Sequence, residues 1–101
     1  MEFLVQFELQ IPDDMPESVF EELERAESAA VETLADHGQL VRLWQASANT
    51  DATTSLGLFR AGSRAELDAL LRDLPLYEWM RTSITTLVQH PDDPAWIRAI
   101  A

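Results

Sequence analysis

The order of the secondary-structure patterns is the feature of this sequence that most restricts its fold. Strand patterns alternate apolar and polar residues or concentrate β-branched ones, whereas helical patterns repeat apolar residues every three or four positions. By these criteria the sequence predicts a strand (residues 2–11), a helix (17–38), two strands (40–46 and 55–60), a second helix (63–74) and a fourth strand (82–89). Two strand–helix–strand units therefore follow one another in a chain of 101 residues.

Local signals mark the ends of these elements. Gly38 is suited to end the first helix. Ser63 and Glu66 form an S-x-x-E capping box at the start of the second helix, and Pro75 ends that helix. The polar segment SANTDATT joins the second and third strands, which we expect to pair as a hairpin.

Two such units with right-handed crossovers give an α+β fold, the ferredoxin-like βαββαβ sandwich. Its four-stranded antiparallel sheet carries both helices on one face. The other face would hold Leu4, Gln6 and Glu8, a mixture too apolar for water and too polar for a sealed core. A domain of this size buries only about two-thirds of its surface. We therefore predict a homo-oligomer in which a second subunit covers that face.

One carboxylate interrupts the apolar stripe of the first helix. At about 100° per residue, Glu27 lies in the middle of that stripe, four residues after Leu23 and four before Val31. Desolvation raises the pKa of a buried carboxyl group, which suits a general base. Glu27 is therefore the first candidate catalytic residue. The alternative is a structural role, in which its side chain reaches the helix edge or pairs with an arginine.

Arg42 and Trp44 share one face of the second strand. An arginine between Leu40 and Leu43 is a candidate anchor for a carboxylate or lactone oxygen, with Trp44 as an apolar wall. The alternative is an ion pair between Arg42 and Glu8 on the same sheet.

Tyr77, Trp79 and His90 complete the candidate side chains. Tyr77 and Trp79 lie in the connection LPLYEWM, where they either line a pocket or seal a subunit interface. His90 precedes Pro91 after the fourth strand, and by itself it is more typical of a turn.

The composition argues against several functional classes. The formal charge of −11 disfavours binding to nucleic acid or to an anionic membrane. The chain has no cysteine, its histidines and paired aspartates lack metal-ligand spacing, and it has no nucleotide-binding or G-x-S-x-G motif. No apolar segment approaches the roughly 20 residues of a membrane span, and the start lacks a signal-peptide pattern. We expect a cytoplasmic protein.

Beyond these patterns, the sequence resembles the muconolactone Δ-isomerase family. The resemblance rests on the ordered segments MEFLVQFELQIPDDMP, the helical glutamate eleven residues before its closing glycine, RLWQ, AELDALLRDLPLYEWM and HPDDP. It covers residues 1–94, which we take as a single domain followed by a tail at residues 95–101.

The resemblance implies a cofactor-independent isomerase that converts muconolactone to 3-oxoadipate enol-lactone in aromatic-compound breakdown. It also implies a decamer built from dimers, with active sites near subunit contacts. Glu27 matches the family's helical glutamate, Trp44 its strand tryptophan and His90 its histidine before proline. We therefore expect Glu27, Arg42 and His90 to be catalytic, and Trp44, Tyr77 and Trp79 to bind a lactone substrate.

Some positions depart from the family pattern, and two alternative functions stay open. Ser28 and Gln45 stand where the family commonly has basic residues, while Arg42 replaces a histidine. Lost positive charge favours a first alternative, in which the same scaffold isomerises or cyclises a larger, more neutral natural-product substrate. A second alternative is a non-catalytic oligomeric protein that binds a small molecule.

Overall fold

The computed structural model describes residues 1–46 and 54–96, which form one four-stranded sheet with two helices. The elements are, in chain order, β1 (Glu2–Leu9), α1 (Glu17–Asp36), β2 (Leu40–Gln45), β3 (Thr54–Arg60), α2 (Arg64–Arg72), a short 3-10 helix (Tyr77–Trp79) and β4 (Met80–Leu87). The strands lie in the order β2-β3-β1-β4, and each neighbouring pair is antiparallel. This is the ferredoxin-like arrangement that the sequence predicts.

Both helices cover the same face of the sheet, which we call the inner face. The core consists mainly of buried residues from β1 and β3 and from the two helices: Phe3, Val5, Phe7, Phe59, Leu34, Leu67 and Leu71. Each such side chain stabilises the fold by about 1.5–3 kcal/mol through burial. The opposite, outer face carries the alternate residues of β1, among them Leu4, Gln6 and Glu8.

A glycine in β3 makes room for the aromatic part of this core. The rings of Phe7 and Phe59 pack with their centroids 5.9 Å apart. A Cβ atom at Gly57 would lie 2.6 Å from the Phe59 ring, which is only 2% exposed and has little space to move aside. The absence of a side chain at Gly57 therefore sets how closely the two rings approach.

The ends of both helices follow local rules. Gly38 has a φ of 71°, and Gln39 N–H donates to the Leu34 carbonyl at 2.9 Å, so the chain turns sharply from α1 into β2. The predicted cap by Ser63 is confirmed, since its Oγ accepts from Glu66 N–H at 3.1 Å, but the Glu66 carboxylate accepts from Gly62 N–H rather than from Ser63 N–H. Helix α2 ends at Arg72, two residues earlier than predicted. Leu74 precedes Pro75, and the proline ring disfavours helical geometry at the residue before it.

An irregularity in β2 decides which of its side chains face the helices. The register against β3 shifts between Leu40 and Arg42, with Val41 as the extra residue of a bulge. Leu40 is paired with Phe59 on the inner face, but Arg42 is paired with Leu58 on the outer face. Leu43 then returns to the inner face.

No further layer covers the outer face within the described parts of the chain. Trp44 and Leu87 of this face are 40% and 38% exposed. The predicted polar loop, apart from Thr54 in β3, and the tail residues Ile97 and Ile100 lie outside the described residues. Among the helices that the structure describes, none has the length and apolar character needed to cross a membrane.

Candidate functional site

A cavity of about 350 Å³ lies between α1, the inner face of the sheet and the connection after α2. Its volume falls within the usual range for small-molecule sites. Apolar side chains from the sheet, from α1 and from the connection form most of its wall: Phe7, Leu9, Leu40, Leu43, Phe59, Val31, Leu34, Leu74, Leu76 and Met80. The cavity therefore provides a largely apolar environment that is open to solvent at one edge, where Leu43 is 48% exposed.

Glu27 contributes the carboxyl group of this cavity. The helical period that brings Leu34 into the core also turns Glu27 toward the sheet, and its side chain is half-buried. Its Oε1 accepts a hydrogen bond of 3.0 Å from the backbone N–H of Leu76. Pro75 has no N–H, so Leu76 offers the first backbone donor after that proline.

Burial raises the pKa of Glu27 above its usual value of 4.5, and the hydrogen bond from Leu76 N–H opposes part of that rise. The hydrogen bond also fixes one oxygen of the carboxyl group. Among the residues that the structure describes, Oε2 has no hydrogen-bond partner. The arrangement is a partly desolvated carboxyl group with one oxygen held by a backbone N–H and the other available to accept a proton.

Two serines are the other polar side chains of the cavity wall, Ser28 beside Glu27 on α1 and Ser55 on β3. Each hydroxyl is a potential donor to a substrate oxygen. In the sequence, Ser28 is notable only as a departure from the family pattern, and no motif marks Ser55. The signal for Ser55 was its alternation with Gly57 and Phe59, which places all three on the inner face.

The sheet separates Arg42 and Trp44 from the Glu27 cavity. Both lie on the outer face, where the Arg42 guanidinium stacks 4.9 Å from the centroid of the Trp44 ring. The alternative ion pair between Arg42 and Glu8 is wrong, because β3 lies between their strands and Glu8 pairs with Thr54 rather than Leu58. Within one chain, these two residues and Glu27 do not form one site.

His90 lies in a different, open groove with Glu2, Leu87 and Asp93. Its Nδ1 accepts a hydrogen bond of 2.9 Å from Asp92 N–H, which leaves Nε2 to donate in the neutral ring. Glu2 and the cavity residue Phe7 are five residues apart along β1, a span of roughly 17 Å. His90 and Glu27 are therefore not brought together within one chain.

Tyr77 and Trp79 lie in the segment that closes the cavity, but neither lines it. Tyr77 is partly buried against the core. The Trp79 carbonyl accepts from Gln10 N–H at 2.7 Å, which ties the segment to the end of β1. Leu76 and Met80, which flank the 3-10 helix Tyr77–Trp79, do contribute to the cavity wall.

Among the described residues, no group of three or more histidine, aspartate or glutamate side chains is placed to hold a metal ion. Glu27 is the single such residue on the cavity wall. The polar groups that this wall offers to a bound molecule are the Glu27 carboxyl group and the two serine hydroxyls.

Comparison with solved structures shows that this architecture is known. A crystal structure of muconolactone isomerase matches with a TM-score of 0.84 and 24% identity, over 93% of this chain and 95% of the other. A 5-chloro-2-hydroxyhydroquinone dehydrochlorinase from Burkholderia phenoliruptrix matches with a TM-score of 0.63 and 19% identity, over 89% of this chain and 96% of that chain. These likenesses establish the fold.

Sequence comparison identifies the family. The family model for muconolactone delta-isomerase matches residues 1–93. Muconolactone Delta-isomerase 1 of Acinetobacter lwoffii is 33% identical over 91 residues, which are 90% of this chain and 92% of the relative. The muconolactone Delta-isomerase of Cupriavidus pinatubonensis is 30% identical over 90% of this chain and 96% of its own length. The chain therefore belongs to the muconolactone delta-isomerase family of enzymes.

Proposed function

We propose that this enzyme moves a carbon–carbon double bond in an unsaturated lactone, with the Glu27 carboxyl group carrying the proton. The observation that supports this most is the placement of Glu27. It is the one ionisable side chain among the described residues on the cavity wall, and Leu76 N–H holds one of its oxygens. A carboxylate in apolar surroundings is a stronger base than one in water.

The reaction needs one base and no net change in protons. Glu27 takes a proton from the carbon next to the conjugated system, so a C–H bond breaks and a carboxyl O–H bond forms. The electron pair moves into the lactone to give a dienolate, whose oxygen accepts hydrogen bonds from Ser28 and Ser55 in this proposal. The O–H bond of Glu27 then breaks as the proton returns to a different carbon.

The specific form of the proposal is the conversion of muconolactone to 3-oxoadipate enol-lactone in aromatic-compound catabolism. The names of the two bacterial relatives support this choice of reaction. The cavity of about 350 Å³ accommodates a five-membered lactone with a short substituent.

We also propose that the chain forms a homo-oligomer through the outer face of its sheet. The half-buried Leu4, Leu56 and Leu58 lie there beside the exposed Trp44, without a covering layer from the described residues. Catalytic or binding roles for Arg42, Trp44, Tyr77, Trp79 and His90 remain predictions. For Arg42, Trp44 and His90, such roles require that a second chain bring them to a cavity.

A turnover assay with Glu27→Gln tests the proposed function. We expect the wild-type chain to form enol-lactone from muconolactone, and Glu27→Gln to lose about 100-fold or more in kcat, because glutamine cannot carry the proton. Glu24→Gln is the matched control, since Glu24 lies on the exposed side of α1. Unchanged turnover in Glu27→Gln would make that glutamate structural.

Turnover in D2O tests the single-carrier mechanism separately. A carboxyl group shielded from water returns the same proton that it removed in a fraction of the turnovers. We therefore expect, on average, less than one full deuterium at the protonated carbon. Complete deuterium incorporation would mean that the proton exchanges with solvent before it returns, and that the cavity does not exclude water during the reaction.

A further inference from the structure

The wall of the Glu27 cavity contains no positive side chain among the residues that the structure describes. Apart from Glu27, its polar side chains are the hydroxyls of Ser28 and Ser55. A bound carboxylate would thus lie in an apolar space that already holds a carboxyl group and offers no counter-charge. Burial of an unpaired anion is costly, and a second nearby carboxylate adds repulsion.

The cations of the sheet are all on its outer face. Arg42 stacks on Trp44, and Arg60 Nε is 3.1 Å from Glu2 Oε2. Arg81 is exposed and is paired in register with Glu8. Since the sheet lies between these three arginines and the cavity, they do not neutralise an anion bound beside Glu27 in the same chain.

The cations of the helices also point elsewhere. Arg25 does not line the cavity; it lines an open groove with three glutamates, and this groove meets the cavity at Ser28, which borders both. Arg64 Nε is 3.1 Å from Asp68 Oδ1, and Arg72 is exposed in the last turn of α2. The seven positive residues of the chain are all arginines, and the seventh, Arg98, lies outside the described residues.

We infer that the cavity selects unsaturated lactones whose substituent is neutral, in preference to lactones that carry a free carboxylate. The inference rests on the proposed function, because it concerns the substrate of the same cavity. It distinguishes two molecules that share the reacting ring: muconolactone, which has a carboxymethyl group, and its methyl ester. The ester suits the apolar wall formed by Leu43, Leu76 and Met80, and it places no second charge beside Glu27.

Binding of saturated lactones tests this inference without turnover. The probes are the saturated analogue of muconolactone, its methyl ester and its primary amide, which has nearly the shape of the acid but no charge. By calorimetry at pH 7.5, we expect the ester to bind at least about tenfold more tightly than the acid, and the amide to lie between them. Tighter binding of the acid, or no binding of any probe, would overturn the inference.

Turnover of the unsaturated acid and ester separates this inference from the proposed function. A higher kcat/KM for the ester supports both. A higher kcat/KM for the acid supports the isomerase but overturns the neutral preference, and it would point to a cation supplied by Arg98 or by a second chain. If neither is converted while the saturated ester still binds more tightly than the acid, the proposed reaction fails and the neutral preference stands.

A charge introduced beside Glu27 provides the converse test. Ser28 is exposed at the edge of the cavity, so Ser28→Arg adds a cation at that edge and Ser28→Gln adds a long polar side chain without charge. We expect Ser28→Arg to improve binding of the saturated acid relative to its ester by about tenfold, and Ser28→Gln to leave that ratio near the wild-type value. If both variants changed the acid-to-ester binding ratio equally, that ratio would depend on the size of the side chain at position 28 and not on its charge.

Discussion

The two faces of the sheet differ in burial and in charge, although the same four strands form both. On the inner face, aromatic and aliphatic side chains pack beneath the helices and leave a cavity around Glu27. On the outer face, charged residues lie among partly exposed apolar ones, as in the Arg60–Glu2 pair, whose side chains are 61% and 43% exposed. Such an exposed pair contributes little to stability. The pKa of the Glu27 carboxyl group is raised on the inner face, because apolar side chains there partly desolvate it.

Strand β2 presents side chains to both faces within three consecutive residues. Leu43 lines the cavity, whereas Arg42 and Trp44 on either side of it face outward. A change of one position therefore moves a side chain from the proposed reaction site to the surface where we expect a second subunit.

Truncation of neighbouring residues in β3 has the largest expected effect. Phe59→Ala removes a buried ring, and we expect it to cost about 3–5 kcal/mol in the free energy of unfolding. Leu58→Ala, on the outer face, should cost less than about 1.5 kcal/mol in dilute protein, because Leu58 is only half-buried. Urea unfolding of both variants measures the difference.

The same pair of variants tests the proposed subunit contact. If the outer face is covered by a second copy, the cost of Leu58→Ala grows with protein concentration, because association stabilises the folded chain by mass action. A cost of Leu58→Ala that is independent of concentration would contradict the outer face as a subunit contact. Phe59→Ala should remain the more damaging variant at every concentration.

Arg42 gives the sharpest contrast with Glu27 in activity. If the cavity of one chain is complete by itself, Arg42→Gln should change kcat/KM by less than about threefold, against about 100-fold for Glu27→Gln, because the sheet separates Arg42 from that cavity. Light scattering shows whether the assembly is unchanged. A loss as large as that of Glu27→Gln, in an intact assembly, would mean that Arg42 of one chain completes the cavity of another.

The fold could be predicted from the sequence because its signals are local and agree with one another. Alternation in β1, the capping residue Ser63, and the left-handed position of Gly38 each specify an element or its end. The position of Glu27 was predictable for the same reason, since helical periodicity alone turns it toward the sheet.

The rest of the site could not be predicted, because it depends on features that one-dimensional patterns do not show. The bulge at Val41 puts Leu40 and Arg42 on opposite faces, whereas regular alternation would place both on one face. The hydrogen bond from Leu76 to Glu27 joins residues 49 positions apart and uses a backbone donor, so no residue type signals it. Alternation with Gly57 and Phe59 indicates the inner face for Ser55, but its position on the wall of the Glu27 cavity depends on how β3 pairs with its neighbours.

The pH dependence of catalysis measures how strongly the inner face desolvates Glu27. Burial raises the pKa of Glu27 above 4.5, and the reaction requires its ionised form. We therefore expect kcat/KM for a neutral lactone ester to rise with pH through a single inflection above 4.5, and to level off once Glu27 is ionised. An inflection at or below 4.5 would show that burial does not raise the pKa of Glu27 in the folded chain.

The smallest expected effect is a gain in stability from Glu27→Gln, the variant that we expect to be most impaired in catalysis. Because the folded chain holds the Glu27 proton to a higher pH than the unfolded chain does, the free energy of unfolding falls as pH rises from 4.5 to the raised pKa of Glu27. Glutamine at this position has no charge to desolvate, and its carbonyl oxygen can still accept from Leu76 N–H. Glu27→Gln should therefore be more stable than the wild type at pH 7 but not at pH 4, whereas Glu24→Gln on the exposed side of α1 should show no such difference. Thermal unfolding at the two pH values measures this contrast, and a Glu27→Gln chain that is less stable at pH 7 would mean that the ionised carboxyl group supports the fold.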